Sequence, residues 1–362
     1  MIRHAFAMNY LGLKIFTSAV LLVSFFVAAS PAQDTPQPSP APSTAAVANF
    51  AEKDFADFHE DWKSINLDTS TLQLKEALVG ERLAFPAFTR ELTRLKWRPS
   101  DPIDLYLAVP KGVEKPPLVI YLYGSPTDLK RYNDEGWYGR ITSGGFAAAA
   151  FVPPLEGSRF HAPRPMNQNY LTQLPEAIAT LTHDLQMLIN YLSFRKDLSL
   201  DLNHIGIFAT GSGATAAILA AAADSRITAI DLLNPWGDWP DWMAKSELLA
   251  FVDCGVCNKP DFLDSLAPLD PLKWLPTLKT PYVRIRQFPN NGQTPNIAQE
   301  KIESVTPKTV DLTKFDSVVE FNHSATGGRT FDWVKGALKF EREHQQPTQS
   351  ATQMPPSRES PR

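Results

Sequence analysis

Short apolar runs follow one another along the middle of the chain. Each run is continuous rather than alternating, and each is bounded by glycine, proline or asparagine. Continuous runs of this length predict strands that are buried on both faces of a parallel sheet. The runs cover residues 118–123, 146–152, 205–209, 227–233 and 282–285.

A helical pattern separates the second apolar run from the third. Leucine and isoleucine recur at alternating steps of three and four from Leu171 to Leu192, with Pro175 near the start. This spacing places the apolar side chains on one face and predicts a long amphipathic helix. The alternation of buried strands with helices is typical of a doubly wound α/β fold with a mostly parallel sheet.

Further elements flank this central alternation. The β-rich segments 88–97 and 103–109 enclose a turn-like segment and predict a hairpin at the entrance of the domain. A strand at 317–321 and a helix from 329 to 340 are predicted at its end. We therefore expect one large domain over residues 89–342.

The first residues of the chain have the composition of an export signal. Arg3 and Lys14 precede the apolar run 15–29, and small residues follow it. This arrangement predicts a cleavable signal peptide over 1–32, and hence a secreted or periplasmic protein. The alternative is an uncleaved membrane anchor, although the run is shorter than the roughly 20 residues of a spanning helix. Residues 33–48 are rich in proline and alanine and predict an extended linker.

Two further segments lie outside the predicted domain. Residues 49–88 form a predicted N-terminal helical extension, because Phe55, Phe58 and Trp62 recur at helical spacing. The tail 343–362 is rich in glutamine, serine and proline, lacks a repeating apolar face, and is predicted to be disordered.

Charge and cysteine content narrow the function classes. The chain has a net charge of −4, and removal of residues 1–32 leaves 33 basic against 39 acidic residues. No basic patch indicates nucleic-acid binding. Cys254 and Cys257 either close a local disulfide in an oxidising compartment or form a redox motif, although no thioredoxin-like elements flank them. The sequence has no four-ligand zinc set, dinucleotide fingerprint or other feature that requires a cofactor.

The candidate chemistry lies where the predicted strands end. The strand 205–209 runs through Thr210, Gly211, Ser212 and Gly213 directly into an alanine-rich segment. This strand, turn and helix resembles the nucleophile elbow of α/β-hydrolases, where small residues let strand and helix approach closely.

The resemblance covers most of residues 90–342. It includes the entry hairpin, the Tyr123-Gly124 turn where relatives usually carry His-Gly, and the late His323. The chain is most similar to the dienelactone-hydrolase and prolyl-oligopeptidase-like branches of the superfamily. The resemblance implies ester or amide hydrolysis by a serine, an acid and a histidine.

The elbow departs from the superfamily pattern G-x-S-x-G. Ala209 matches the first glycine, Gly211 the serine and Gly213 the last glycine. Glycine has no side chain that could attack a carbonyl carbon. A bulge at Gly211 could lift Ser212 onto the turn, because glycine permits unusual backbone angles. Alternatively, Ser212 lies at the variable position of the elbow and only its backbone N–H donates.

The acid position departs as well. The resemblance places the acid after strand 282–285, where this chain has Asn290. An amide can orient a histidine but does not stabilise imidazolium as a carboxylate does. Asp238, after strand 227–233, is a candidate replacement, because some relatives carry the acid there. The chain order Ser212, Asp238, His323 then matches the superfamily order of nucleophile, acid and base.

The resemblance also implies the remaining site residues. His323 follows the last predicted strand, where hydrolases keep their base; the alternative is a loop or capping role. Gly213 and Gly124 or Ser125 would supply backbone oxyanion donors. Two further residues are less defined: Tyr123 either adds a donor or packs at a strand end, and His161 lies in a loop that could face the site.

A tryptophan-rich segment, 234–275, interrupts the alternation where the superfamily places lids. Trp236, Trp239 and Trp242 either grip a substrate or anchor the insertion on the core. Both interpretations stay open.

Three hypotheses on function follow. The first is an exported ester or amide hydrolase with an atypical set of Ser212, Asp238 and His323, acting on a small-molecule or peptide substrate. The second is a catalytically inactive pseudo-hydrolase that binds a ligand or protein partner in the former cleft. The third is an oxygenase or lyase on this fold that needs no serine nucleophile. None of them requires a cofactor or a stable membrane span after signal cleavage, and the oligomeric state is not encoded in any pattern.

Overall fold

One sheet of nine strands organises the part of the chain that the structure describes. The structure is a computed structural model. It describes residues 64–66, 74, 76–98, 101–123, 129–155, 159, 171–249, 254–289 and 291–345. The predicted signal peptide, linker and leading helix lie outside these residues, as does the tail beyond residue 345. All described residues belong to one unit, Ala51–Arg362.

The strand order is β1-β2-β3-β5-β4-β6-β7-β8-β9. Strands β1 to β3 are antiparallel neighbours, β3 is antiparallel to β5, and every other pairing is parallel. The bounds are β1 Glu76–Ala84, β2 Phe88–Lys96, β3 Ile103–Pro110, β4 Pro117–Leu122, β5 Ala147–Phe151, β6 Asp201–Thr210, β7 Ile227–Leu233, β8 Tyr282–Gln287 and β9 Asp311–Lys314.

Helices follow most of the parallel strands. Their bounds are α1 Glu135–Thr142, α2 Leu174–Phe194, α3 Gly211–Ala223, α4 Trp239–Lys245, α5 Pro260–Leu266, α6 Pro271–Trp274, α7 Asn296–Val305, α8 Val318–Thr326 and α9 Asp332–Gln345. Short 3-10 turns cover Leu129–Asn133, Glu247–Leu249, Ala267–Leu269 and Leu275–Thr277. No helix among the described residues is both long and apolar enough to cross a membrane.

The predicted sheet is confirmed. The five apolar runs form β4 to β8, the entry hairpin forms β2 and β3, and the leucine-rich pattern forms α2. Strand β6 shows why continuous runs are needed. Its Ile205 and Ile207 belong to one apolar cluster and Phe208 to another, so helices cover both faces. Helices α2 and α3 contribute to the first cluster, and α1 and α9 to the second.

The predicted strand at 317–321 is wrong. The last strand is β9, Asp311–Lys314, and helix α8 begins at Val318. The hydroxyl oxygen of Ser317 accepts hydrogen bonds from the backbone N–H groups of Val319 (3.2 Å) and Glu320 (3.5 Å). The two valines favour a strand, but serine followed three residues later by glutamate is a helix start, and this cap outweighs the β propensity.

Two boundaries need correction as well. The extension 49–88 is not helical throughout, because Glu76–Ala84 pairs with β2 as the edge strand β1. The closing helix begins at Asp332 rather than near 329 and continues to Gln345. Within the insertion 234–275, helices α4 to α6 form, and a disulfide joins Cys254 to Cys257.

A buried ion network ties the entry hairpin to α2. Asp184 is fully buried and binds both Arg98 and Arg159, the latter at 2.7 Å. Arg159 also binds Asp101, which lies beside the hairpin turn. This network joins three segments that are far apart in the sequence.

Candidate active site

The elbow adopts the backbone turn that the sequence predicts. Strand β6 ends at Thr210, whose φ of −130° is extended, and α3 begins at Gly211 with a φ of +54°. Glycine is favoured at a position with a left-handed φ angle, because a Cβ atom is strained there. The chain approaches β4 closely: a Cβ on Gly213 would lie 2.7 Å from the carbonyl oxygen of Tyr123.

The indole of Trp236 occupies the space beside Gly211. A Cβ atom on Gly211 would lie 3.2 Å from the indole Nε1 and 3.4 Å from Cε2. Trp236 is only 1% exposed. A side chain at this position would therefore meet the aromatic ring of Trp236 already at its Cβ atom.

The segment that carries Trp236 is held from both sides. Asn234 and Asp238 at its ends have left-handed φ angles of 42° and 53°. Thr215 of α3 donates a hydrogen bond to the carbonyl oxygen of Trp236 at 2.6 Å. The carboxylate of Asp270 accepts one from the backbone N–H of Asp238 at 3.1 Å. Two strained residues persist because these contacts over-determine the segment.

The three tryptophans of the insertion are core residues. Trp236 and Trp239 are 1% exposed and Trp242 is 0% exposed. The ring of Trp242 lies 4.7 Å from that of Trp236 and 5.8 Å from that of Trp239, measured between centroids. Rings this deeply buried anchor the insertion, which favours the second of the two interpretations left open by the sequence.

Ser212 lies in the first turn of helix α3. It is the second residue of α3, is 8% exposed, and follows Gly211 without interruption of the helical segment. Its position corresponds to the variable residue of the elbow.

Asp238, at the end of the segment that carries Trp236, binds a lysine. Its carboxylate contacts Nζ of Lys301 on α7 at 2.9 and 3.0 Å, and Lys301 also binds Asp241 at 2.7 Å. Burial raises the pKa of Asp238, Lys301 opposes this rise, and the nearby Asp241 adds to it.

His323 lies in the last turn of α8, and not directly after a strand at 317–321 as the sequence predicted. The residue is exposed, and its ring packs over the backbone of Gly327, where a Cβ atom would lie 2.7 Å from Nδ1. Within the described part of the chain, no hydrogen bond or ion pair joins Ser212, Asp238 and His323 to one another.

The other predicted site residues divide into two groups. Gly124, Ser125, His161 and Asn290 lie outside the described residues. Tyr123 is 9% exposed, and its ring lies edge-on to Tyr121 with centroids 3.8 Å apart, which is a packing contact at the end of β4. In the described ranges, no group of three histidine, cysteine or acidic side chains is arranged to hold a metal ion.

The sequence patterns did not predict the buried ion pairs that join strands β7 and β8. Asp231 of β7 is fully buried and binds Arg284 and Arg286 of β8, with closest distances of 2.7 and 2.8 Å. The signal was present, because charged residues interrupt two predicted buried strands that are consecutive in the sheet. A buried charge requires a partner, so these interruptions predict each other.

Comparison with known proteins supports the fold. No protein-family model and no curated protein sequence matches the chain. Among solved structures, an acetyl xylan esterase from Paenibacillus sp. R4 superimposes with a TM-score of 0.58 and 14% identity, covering 76% of this chain and 92% of the esterase. Acylaminoacyl peptidase from Pyrococcus horikoshii superimposes with a TM-score of 0.51 and 18% identity, covering 71% of this chain and 41% of the peptidase.

A third neighbour is a hydrolase of 2,6-dihydroxy-pseudo-oxynicotine, with a TM-score of 0.52 and 16% identity over 70% of this chain and 69% of that one. The strand order, the elbow turn and these neighbours together show that the chain has the α/β-hydrolase fold. At such identities the likeness concerns the fold, and function must be argued from the site.

Proposed function

We propose that this protein is an exported pseudo-hydrolase: it uses the α/β-hydrolase fold to bind an ester, amide or peptide ligand, or a protein partner, without cleaving it. The observation that carries the proposal is the pairing of Gly211 with Trp236 at the elbow. Glycine offers no nucleophile, and a side chain at this position would meet the indole ring already at its Cβ atom.

The arrangement of the remaining polar residues supports this proposal. A serine mechanism needs a base within hydrogen-bond reach of the hydroxyl and a third group that orients the base. Asp238 instead binds Lys301, and the ring of His323 packs against Gly327. A displaced mechanism through Ser212, Asp238 and His323 would require these contacts to be exchanged.

The proposed ligand class rests on the fold neighbours. An acetyl xylan esterase and an acylaminoacyl peptidase share the architecture of this chain. A descendant that lost its nucleophile could still bind compounds of the same chemistry, namely acetylated sugars or acylated peptides. Export is proposed from residues 1–32, and the disulfide between Cys254 and Cys257 supports it, because such bonds persist in oxidising compartments.

Ester turnover tests the loss of catalysis. We would measure hydrolysis of p-nitrophenyl acetate and labelling by a fluorophosphonate probe, beside Ser212→Ala and His323→Ala. We expect no labelling, and a rate that equals the buffer rate in all three proteins. Turnover that both substitutions abolish would establish a displaced-serine hydrolase and overturn the proposal.

Ligand retention tests the binding half of the proposal. Equilibrium dialysis against acetylated xylobiose and an N-acetylated tripeptide should show binding of at least one compound, recovered chemically intact. If neither binds, the small-ligand part of the proposal is wrong and the partner part remains to be tested by co-purification. Determination of the N-terminus of the protein from its native cells tests export: a start near residue 33 is expected, and an intact Met1 would contradict it.

A substitution at the elbow tests the role of Trp236. Gly211→Ser should stay inactive and should lose about 1–3 kcal/mol of unfolding free energy, because the new Cβ is strained and meets the indole. Gly255→Ser is the matched control, since no atom lies within 4 Å of its added Cβ. Ester turnover by Gly211→Ser alone would show that Trp236 does not block the site.

A further inference from the structure

A cavity of about 530 Å³ lies between β8, β9, α8 and the start of α9. Arg284, Arg286, Thr313, Phe315, His323 and Trp333 are among the residues that line it. Its volume lies within the range of small-molecule sites, roughly 300–1,000 Å³. None of Gly211, Ser212, Trp236 and Asp238 lines it.

The cavity has more cationic groups than anionic ones. Among the described lining residues, Arg284, Arg286 and Arg329 are cationic. The one carboxylate there belongs to Asp332, which pairs with Arg329 at 3.1 Å. Asp231, beneath the cavity, is already shared by the two arginines of β8. Asp311, the register partner of Arg284, is exposed and makes no ion pair with it among the described residues.

The guanidinium group of Arg284 has a donor that no described residue accepts from. Arg284 uses Nε (3.0 Å) and Nη2 (2.7 Å) to bind Asp231, and its Nη1 has no acceptor within the described residues. By contrast, Arg286 directs Nη1 to the carbonyl oxygen of Ser324 at 3.0 Å. Burial lowers the pKa of Arg286 to about 10, although Asp231 opposes this shift.

Aromatic rings form the apolar part of the same cavity. Trp333 lies under the guanidinium of Arg284, with 4.8 Å from Cζ to the ring centroid, and Phe315 lines another wall. The Nη1 group of Arg284 can donate to a carboxylate oxygen, and flat rings match a flat apolar body. A ligand that combines both would satisfy the free donors and cover the rings.

We propose that this cavity binds a small aromatic carboxylate, with Arg284 as the residue that binds its carboxylate group. Arg329 contributes long-range attraction from the exposed rim, since its side chain is 92% exposed. The inference goes beyond the proposed function. His323 lines the cavity and also enters the argument on the proposed function, but Arg284, Arg286 and Trp333, which carry this inference, do not.

Calorimetric titration of the full chain with benzoate tests the site. Wild-type protein should bind benzoate at low salt, and benzamide, the neutral analogue, should bind at least about ten-fold more weakly. Arg284→Gln should weaken benzoate binding by about ten-fold or more, and Arg329→Gln by about two- to three-fold. Arg82→Gln, which removes the same charge from the distant strand β1, should change nothing.

The variants are chosen so that failure is informative. Arg284→Gln leaves Asp231 bound to Arg286, and Arg329→Gln changes an exposed side chain, so both should fold, which circular dichroism verifies. Equal binding of benzoate and benzamide would overturn the proposal. So would an equal loss in Arg82→Gln and Arg284→Gln, binding of inorganic phosphate in place of benzoate, or no binding of benzoate up to about 50 mM, a limit well above typical site affinities.

Discussion

Asp184 and Asp231 are both fully buried carboxylates that bind two arginines, yet the two clusters end differently. Around Asp184, a second carboxylate, Asp101, takes the other side of Arg159. The backbone carbonyl of Thr180 accepts from Arg98, and that of Val152 accepts from Arg159. Every group named here has a protein partner, so the cluster is closed.

The cluster around Asp231 is open. It has two arginines and one carboxylate. Arg284 lines a cavity, and among the described residues no second carboxylate accepts from its Nη1. The same pairing of charges therefore has a different consequence in each of the two clusters. Where all donors are satisfied internally, the network joins segments of the fold; where one is left over, the network presents charge to a ligand.

The largest effect is expected from Asp184→Asn. Loss of this charge leaves Arg98 and Arg159 buried and poorly paired, which should cost about 3–5 kcal/mol of unfolding free energy. Urea unfolding followed by circular dichroism measures it. Asp197→Asn is the control, because Asp197 also pairs with an arginine but is 55% exposed, and its loss should cost less than about 1 kcal/mol. Similar values for both variants would mean that burial does not distinguish the pairs.

The next effect compares one arginine from each cluster. Arg98→Gln should cost about 3 kcal/mol, because Asp184 loses half of a closed network. Arg284→Gln should cost about 1 kcal/mol, because Asp231 keeps both contacts to Arg286. Paired urea titrations measure the difference. Equal costs would contradict the distinction between a closed and an open cluster.

A smaller effect should come from filling the open cluster. Benzoate at ten times its dissociation constant should stabilise the wild-type protein by about 1.4 kcal/mol. Arg284→Gln at the same benzoate concentration should gain much less, since its affinity is lower. Thermal unfolding with and without benzoate gives both values, and benzamide controls for general solvent effects. Equal stabilisation of wild type and Arg284→Gln by benzoate would mean that benzoate binds at a site that does not involve Arg284.

The smallest effect concerns Glu91, a buried carboxylate that binds Arg195 and the exposed Arg82. Burial alone would raise the pKa of Glu91, but hydrogen bonds from Arg195, Arg82 and Thr93 lower it to about 2. A lowered pKa means that the stabilisation is complete above the unfolded value, near 4.5, and is lost as pH falls towards 2.

Glu91→Gln should therefore cost about 1 kcal/mol at pH 7, because solvent screening reduces the value implied by the shift. The difference from wild type should shrink between pH 4.5 and 2. Urea unfolding at pH 7, 4 and 2 measures it. If the difference in unfolding free energy between Glu91→Gln and wild type is constant with pH, Glu91 does not stabilise the protein through its charge.

The pattern of apolar residues predicted most of the sheet correctly, because strands buried on both faces need continuous runs. It failed at 317–321, where Val318 and Val319 suggested a strand. These side chains are 49% and 72% exposed, so they contribute little burial, and the cap at Ser317 determines the helix. Local capping chemistry, visible as serine followed by glutamate, was the stronger signal.

The candidate site was only partly predictable. A glycine at position 211 was visible in the sequence, and its left-handed φ agrees with the elbow turn. The position of Trp236 beside it was not visible, because contact between these residues depends on the path of the segment after β7 and on its contacts with Thr215 and Asp270. The partners of Asp231 and Asp238 are set in the same way.

The sequence by itself determined which segments are buried strands, where a small-residue turn joins β6 to α3, and that glycine occupies position 211 of this turn. These properties depend on neighbours in the chain, through side-chain periodicity and the steric freedom of glycine. Only the tertiary structure decided that Trp236 lies beside Gly211, that Asp238 binds Lys301, and that Arg284 lines a cavity. Those contacts join residues from separate elements, so they are determined by packing and by the pairing of buried charges when the elements come together.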